Sequence, residues 1–501
     1  VPALRRGSLG RDQKVRPLIL LAAAGIRSRP FLKNKPKCLI IYSSRKRQSA
    51  YWLVVVFLRW RECVSFSSLR DAPKGGIPRF CPWMVLLRRL GLGLSRFMAV
   101  GRKVAMSNAI RKVVVVGGSN SAHVLIPLLA ERGYEVSLLT RHPEKWSKRV
   151  RVDYLDSSER LVRSAQGELK SVSSDYGKTL EGADLVILCL PVHVYRETLS
   201  KIGAAISPSR NLIIGTIYGQ AGFNWMVEEM KRDFLLPHVS YFAFGLIPFI
   251  CRTKEYGSLG LSYGTKELNL AAFSDDYVYE ALSQGFLDDC CFSFFGKGRF
   301  RRVPNFISLT MSVDNQLIHP SRLWDLFELC GGKWKNKDGI PYFYRDFTVS
   351  ASKKMEILDD DLDRIRVAIK KRYPSVDYTY MMNYMDLERY VYRKTFGNIY
   401  DSFIESSILG NIKTPVIEVG GEYRLDKNGR FFTDDIFYGL CVMKSIADAL
   451  SVSTPSLDKI LSLASETIGK AILRPDGHLE EGLDCGAVSK YGFPLEWMLT
   501  D

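Results

Sequence analysis

Three groups of residues in this 501-residue chain carry side chains suited to chemistry. The first is Lys112–Ala122, Lys-Val-Val-Val-Val-Gly-Gly-Ser-Asn-Ser-Ala. Four β-branched residues run into a Gly-Gly turn, and a helical pattern (Ala122, Leu125, Leu128, Leu129) starts at once. In this order a buried parallel strand feeds a helix N-terminus that cradles phosphate. Set against the dinucleotide fingerprint G-x-G-x-x-G/A, Gly117 fills the first place, Gly118 and Asn120 fall in variable places, Ser119 replaces the second glycine and Ala122 the third. Ala122 only needs close helix packing, whereas Ser119 puts a Cβ where the backbone approaches a pyrophosphate. The second group is Asp314-Asn-Gln-Leu-Ile-His-Pro320, in which Asn315 precedes His319 by four residues. A histidine held by proline at a segment boundary is either a general acid–base or a packed turn residue. The other histidines, among them His142, His193, His238 and His478, sit beside prolines, loops or helix starts and read as structural. The third is Arg252, a carboxylate clamp by charge and fork geometry, or one half of a structural ion pair.

The elements that must position these groups follow the pattern of an α/β chain. Glu135–Thr140 reads as a second strand, and the end of such a strand selects the cofactor. Thr140 and Arg141 there offer a hydroxyl and a guanidinium where an acid would bind the ribose 2′-hydroxyl, which favours NADPH over NADH; otherwise Arg141 is a solvated loop residue. An amphipathic stretch runs to Gln166, followed by short elements at 170–175 and 178–181. Leu185–Pro191 is a continuously apolar strand stopped by Pro191, which opens the next helix. Asn211–Thr216 and Val239–Phe244 complete the alternation, and Leu246–Arg252 reads as an irregular apolar loop. The pitch predicts a Rossmann-type doubly wound parallel sheet over 111–300. Beyond 300 the helical patterns 349–372, 383–396, 434–450 and 456–470 predict a mainly α-helical second domain, 301–501.

The formal charge of +18 invites a nucleic-acid or membrane partner. Its distribution removes that reading: residues 1–110 hold 23 Lys and Arg against Asp12, Glu62 and Asp71, leaving 48 basic against 50 acidic residues in 111–501. The basic extension is read as a targeting segment or translated upstream sequence rather than a folded domain, since its longest apolar run, Ala50–Leu58, is too short to span a bilayer and Met106 precedes the first strand of the body. Ten cysteines are scattered without a C-x-x-C pair, which fits neither a zinc site nor a disulfide framework and suits a reducing compartment. The expected location is the cytoplasm, or an organelle if 1–110 is a genuine transit segment. No metal is expected.

Residues 111–501 resemble the opine dehydrogenase family of octopine/nopaline type. Val-Val-Gly-Gly-Ser-Asn-Ser-Ala-His123 is similar to that family's Gly-Ala-Gly-Asn-Gly-Gly-His, and Pro248-Phe-Ile-Cys-Arg252 to its Pro-Tyr-Ala-Cys-Arg. Asn315–Pro320 matches Asn-x-x-x-His-Pro, and Arg430-Phe-Phe-Thr-Asp-Asp-Ile-Phe-Tyr-Gly-Leu440 resembles Arg-Tyr-Phe-x-Glu-Asp-Ile-Pro-x-Gly-Leu. The resemblance implies a dinucleotide domain, a helical domain and substrate between them. It implies reductive condensation of an amino acid with a 2-oxo acid through an imine reduced by nicotinamide hydride. It also implies that His319 donates a proton to or polarises the 2-oxo oxygen, with Asp435 rather than Asp434 orienting and charging it. A partnered carboxylate raises an imidazole pKa and fixes its tautomer, while Asp434-Asp435 read alone is a helix cap. Ser119, Ser121 and Phe437 depart from the family pattern. Two rival readings remain: a 2-oxo or hydroxy-acid reductase of the same two-domain plan, and a non-catalytic nucleotide sensor suggested by the altered fingerprint.

Overall fold

The computed structural model describes residues 39–46, 49–56, 110–156, 158–291, 298–404 and 412–501. The chain divides into two units, Val1–Gly101 and Arg102–Asp501. In the first, Leu39–Lys46 (β1) and Ser49–Val56 (β2) pair as an antiparallel hairpin. Of the expected 1–110 extension, residues 1–38, 47–48 and 57–109, including the end of its apolar run and Met84, Met98 and Met106, lie outside the described residues. Among the described residues no helix is long and apolar enough to cross a membrane, and no cluster of His, Cys, Asp or Glu is placed to hold a metal.

The second unit begins with the strand of the Gly-Gly turn, Lys112–Val116 (β3). It runs into the helix Asn120–Glu131 (α1) and returns as Glu135–Leu139 (β4). Arg149–Leu155 (β5) and Leu161–Glu168 (β6) follow, then Ser171–Ser173 (β7), Leu185–Leu188 (β8), Leu212–Thr216 (β9) and Val239–Phe244 (β10). Strands β7, β4, β3, β8, β9 and β10 lie side by side and parallel, the crossover order of a doubly wound sheet. Beyond β10 the sheet is mixed: Leu268–Phe273 (β13) pairs antiparallel to β10, and Arg299–Arg302 (β14) extends it in parallel with β13. The central strands are buried throughout, Val113–Val116, Leu185–Leu188 and Leu212–Thr216 without exception. Each fully buried Val, Leu or Ile there contributes about 1.5–3 kcal/mol.

Two segments depart from the sequence reading. The amphipathic stretch up to Gln166 is the pair β5 and β6; Val150, Val152 and Tyr154 are buried while Arg149 and Arg151 are exposed, the period-2 pattern of a half-buried strand. The apolar run Leu246–Arg252 is not an irregular loop. It enters the strand Phe249–Glu255 (β11), which pairs with Leu259–Thr265 (β12), and the order β11-β12-β5-β6 makes a second sheet against α1.

The C-terminal half is helical. Asn315–Cys330 (α2) packs on Val349–Arg372 (α3), and its first turn forms, with Tyr384–Tyr392 (α4) and Ile399–Ile404 (α5), one wall of a cleft against the main sheet. His319 and Pro320 lie inside the second turn of α2 rather than at a segment boundary; its N-cap Asp314 accepts the backbone N–H of Asn315 at 2.6 Å. The pattern 434–450 is two pieces, a π-helical turn Ile436–Leu440 and the helix Cys441–Leu450, preceded by the short helix Arg430–Thr433. Pro455–Ile468 follows. The two halves share one continuous apolar core, and the C-terminal segment docks back on the first, with Trp225 Nε1 donating to Met498 O and Asn224 to Asp501.

Candidate active site

The floor of the cleft is the C-terminal edge of the parallel sheet, where ligands of open α/β sheets bind. Gly117 leaves β3 with φ +108°, and a Cβ there would meet Leu190 and the carbonyl of Cys189 at 2.5 Å, so only glycine permits the turn. Ser119 caps α1 without a side-chain cap bond; its Oγ instead pairs with Ser121 Oγ at 2.7 Å. The first-turn N–H groups of α1 keep their partial positive charge beside the cleft. Asn120 Oδ1 accepts the Thr253 N–H at 2.9 Å, tying the turn to β11, and the buried His123 accepts the Gly257 N–H on Nε2 at 2.7 Å. Ala122 is fully buried, as close helix packing requires.

The cleft of about 330 Å³ is lined by Ser119, Asn120 and Ser121, by the wall Leu188–Val192 with Pro191, and by Arg252 and Asn315. The remaining nucleotide candidates stand outside its lining. Gly118 is covered by Tyr256, whose Oη lies 2.5 Å from where a Cβ would project. Thr140 is buried, with its Oγ1 accepting from His142 N, and Arg141 is exposed near Glu197 and Lys201. An uncapped helix N-terminus, a glycine-only turn and an apolar wall ending in Pro191 fit a dinucleotide in extended form.

Across the cleft stands His319, fully buried. Asp435 Oδ2 accepts its Nδ1–H at 2.7 Å, and Tyr344 Oη donates to Nε2 at 2.8 Å, which fixes the tautomer. Phe431 stacks on the ring at 4.0 Å and Phe343 meets it edge-on at 5.5 Å. The approach of Asp435 depends on the π turn behind it: Gly439 lies against Gln316 of α2, where any Cβ would collide with that side chain. Single π turns of this kind recur at functional sites. Burial pushes the His319 pKa down and outweighs the raising effect of the Asp435 carboxylate, opposite to what the partner alone would give. Burial likewise pushes Asp435 up against the pull of His319 and Arg430. The resting imidazole is therefore neutral, a proton acceptor at Nε2.

Asp434 takes a different partner. Its Oδ1 accepts both the backbone N–H of His193, at 3.1 Å, and the ring Nδ1–H, at 2.6 Å, joining the Pro191 turn to the helical half. Arg252 is half-buried, donates to its own neighbour's carbonyl, Cys251 O, at 2.8 Å, and presents the rest of its fork to the cleft. Asn315 borders the cleft at the start of α2, and its neighbour Gln316 donates through Nε2 to the hydroxyl of Tyr218 at 3.1 Å.

Several cleft residues were not singled out from the sequence. Arg430 opens the fourth matched motif and lines the cleft; desolvation opposes its charge, but the carboxylates of Asp435 and Asp434 and the phenols of Tyr344 and Tyr218 keep the pKa raised. Tyr344 comes from Pro341-Tyr-Phe-Tyr344, which carries no motif. At the far end, Tyr384, Glu388 and Tyr392 project from α4 toward Lys266 and Asp314. Burial and the Asp314 charge push Glu388 up to about 8, against the pull of Lys266.

Residues 302–468 match the family profile "NAD/NADP octopine/nopaline dehydrogenase, alpha-helical domain". The chain is 28% identical over 401 residues to octopine dehydrogenase of Mizuhopecten yessoensis, covering 76% of this chain and 96% of that protein. It is 23% identical over 404 residues to tauropine dehydrogenase of Arabella iricolor, covering 76% and 98%. In three dimensions it resembles a solved octopine dehydrogenase holding NADH and L-arginine, with a TM-score of 0.64, 24% identity, and 78% of this chain and 98% of that one covered.

Proposed function

We propose, for a chain that belongs to the opine dehydrogenase family, that it is an NAD(P)-dependent oxidoreductase condensing an amino acid with a 2-oxo acid. The observation that carries this reading is the buried Asp435–His319 pair set across one cleft from the glycine turn and α1 N-terminus. In this reading 111–300 holds the nucleotide, 301–501 supplies the acid–base group, and 1–110 lies outside the catalytic body. Ser119, Asn120 and the first-turn N–H groups of α1 would hold the pyrophosphate, with Gly117 and Gly118 making the turn and Ala122 packing the helix behind it, and Pro191 would back the nicotinamide. The bound cofactor supplies hydride. Thr140 and Arg141 support NADPH over NADH, because a guanidinium and a hydroxyl suit a 2′-phosphate.

The substrates form a dicarboxylate, and the cleft offers two guanidinium groups, Arg252 and Arg430, as partners for two carboxylates. Asn315, with Tyr218, would orient the 2-oxo group. The neutral His319 accepts a proton released by the substrate ammonium, freeing the amine to attack the carbonyl carbon, and passes it to the oxygen; a second proton moved from nitrogen to the same oxygen lets it leave as water. Asp435 stabilises the imidazolium in the interval. The far end, with Glu388, Asp314 and Lys266 among tyrosines, would read the side chain of the amine.

The test follows NADPH and NADH absorbance with pyruvate, a panel of amino acids and amine-free controls. Oxidation strictly dependent on amine, with a lower KM for NADPH, is expected. Oxidation without amine would replace this reading by the hydroxy-acid reductase, and cofactor binding without any turnover would replace it by the sensor. Arg141→Glu is expected to invert the cofactor preference.

A further inference from the structure

His319 presents no surface to the cleft. Its ring is covered by Phe431 and Phe343, its Nδ1 by Asp435 and its Nε2 by the hydroxyl of Tyr344. Asp435 borders the cleft as well, but its Oδ2 is engaged by the imidazole. The cleft does reach Tyr344, which stands beside Asn315, Arg252 and Arg430. Substrate entering the cleft therefore meets the phenol before the imidazole.

Resting on the condensation reading above, we infer that Tyr344 is the catalytic residue that exchanges protons with substrate, and that His319 is the proton store behind it. The 2.8 Å contact between Tyr344 Oη and His319 Nε2 is the link between them. In the first transfer the substrate ammonium gives a proton to the Tyr344 oxygen as the phenolic proton passes to Nε2. The freed amine attacks the 2-oxo carbon, the C–N bond forms, and the carbonyl π pair moves to oxygen. Tyr344 protonates that oxygen and is re-protonated from Nε2, giving the carbinolamine. A second proton follows the same path from nitrogen to oxygen, the C–O bond breaks, water leaves and the iminium remains. Two of the three ammonium protons end on the water, and His319 and Tyr344 finish as they began. The bound cofactor would supply the hydride that the iminium carbon then requires.

The surroundings favour exchange over a standing phenolate. Burial pushes Tyr344 up to about 12, while Arg430 and Arg252 pull it down, so the phenol gives a proton only as it takes one. The two guanidinium groups on the cleft side steady negative charge on the oxygen during transfer.

The experiment compares wild type, Tyr344→Phe, His319→Ala and the double variant in kcat, KM and solvent isotope effect, with NADPH affinity followed by fluorescence. The phenylalanine variant keeps the ring against Phe403 and Phe343. Its kcat is expected to fall about 100-fold with NADPH affinity within threefold. The double variant should lose no more than the worse single, because the two groups act in series. In wild type the proton inventory should bow, reporting two protons in flight. Incorporating 3-fluorotyrosine at position 344 keeps the hydroxyl and should shift the pH profile while preserving turnover, which separates proton transfer from a folding defect. A Tyr344→Phe variant with more than a tenth of wild-type kcat, or a double variant losing the product of the two singles, would overturn the relay and leave the condensation reading standing. A wild type without amine-dependent oxidation would overturn both.

Discussion

Two histidine–aspartate pairs meet at one corner of the chain, built on consecutive aspartates, and their environments set them apart. His319–Asp435 and His193–Asp434 have nearly equal lengths, 2.7 and 2.6 Å. In the first, the side chains are 1% and 4% exposed; in the second, 34% and 14%. The buried imidazole is clamped between aromatic rings and bonded at both nitrogens, so every change of protonation is felt by its partners in a medium of low dielectric. The exposed imidazole gains the same bond in competition with water and salt. Distance alone does not distinguish a chemical pair from a structural tie; the surroundings of the ring do.

The comparison is broken most directly by deleting each ring. His319→Ala is expected to cost about 10²- to 10⁴-fold in amine-dependent kcat, the range for a positioned general acid–base. His193→Ala should stay within about threefold, and an equal loss would mean that the exposed pair also enters the chemistry. The aspartates sharpen the same contrast. Asp435→Asn removes the charge that stabilises the imidazolium, with an expected loss of about 100-fold. Asp434→Asn keeps an acceptor for both His193 donors, and its kcat should be close to wild type.

A pH profile separates the pairs again. Burial holds His319 below the ordinary imidazole value, and catalysis needs it neutral at Nε2. Activity is therefore expected to persist as pH falls past 6.5, and to fail only when the folded-state pKa is crossed. Removing the Asp435 charge takes away what favours the protonated ring, so the acid limb of Asp435→Asn should move to still lower pH. A limb that stays in place would show that Asp435 is not ionised in the resting enzyme.

Much of the fold was legible where one rule decided it. Continuously apolar runs such as Val113–Val116 and Leu185–Leu188 announce central parallel strands, and the glycine turn after the first of them announces a helix N-terminus. Phe249–Glu255 was not legible as a strand, because its own pattern is mixed and the hairpin it forms with Leu259–Thr265 is anchored by a strand distant in sequence, Arg149–Leu155. In the site, His319 stood out through Asn315 and Pro320, and the fourth motif pointed to the Asp434-Asp435 corner. Tyr344, Glu388 and the His193 tie have no local signature. Each acquires its setting from a contact between segments, and His193 in particular looks like any histidine after a proline until Asp434, 241 residues later, arrives beside it.

The far end of the cleft offers a smaller effect of known sign. Glu388 is raised to about 8 from an ordinary glutamate value by burial first and Asp314 second, and Lys266 opposes them. A raised folded-state pKa contributes stability below the unfolded value, and that contribution is lost as pH rises through about 8. Tyr384 and Tyr392 face the same carboxyl, with their own pKa values pushed well up, and remain protonated across this window. Glu388→Gln is therefore expected to melt above wild type at pH 9, by about 2 °C or more, and the gap should narrow toward pH 5. A gap independent of pH would show that Glu388 is not the titrating group.

The smallest effect expected is the thermal cost of cutting the exposed tie. Alanine at 193 removes the ring bond but leaves the backbone N–H of residue 193 on Asp434, so the corner keeps one of its two anchors. The lost contact is a partly exposed ion pair, worth about 0.2–1 kcal/mol, or about 1–3 °C in melting temperature for a body of this size. Asp434→Ala removes the acceptor from both donors, so it should cost more than His193→Ala, and the double variant should cost no more than Asp434→Ala alone. Salt sharpens the assignment. The deficit of His193→Ala against wild type should shrink between 0.05 and 1 M NaCl, roughly the range over which screening falls from well beyond the contact distance to about 3 Å, while the backbone bond is indifferent to ionic strength. If the deficit instead holds constant with salt, the ring bond is a neutral hydrogen bond, and the charge on Asp434 serves the buried corner beside it rather than the tie.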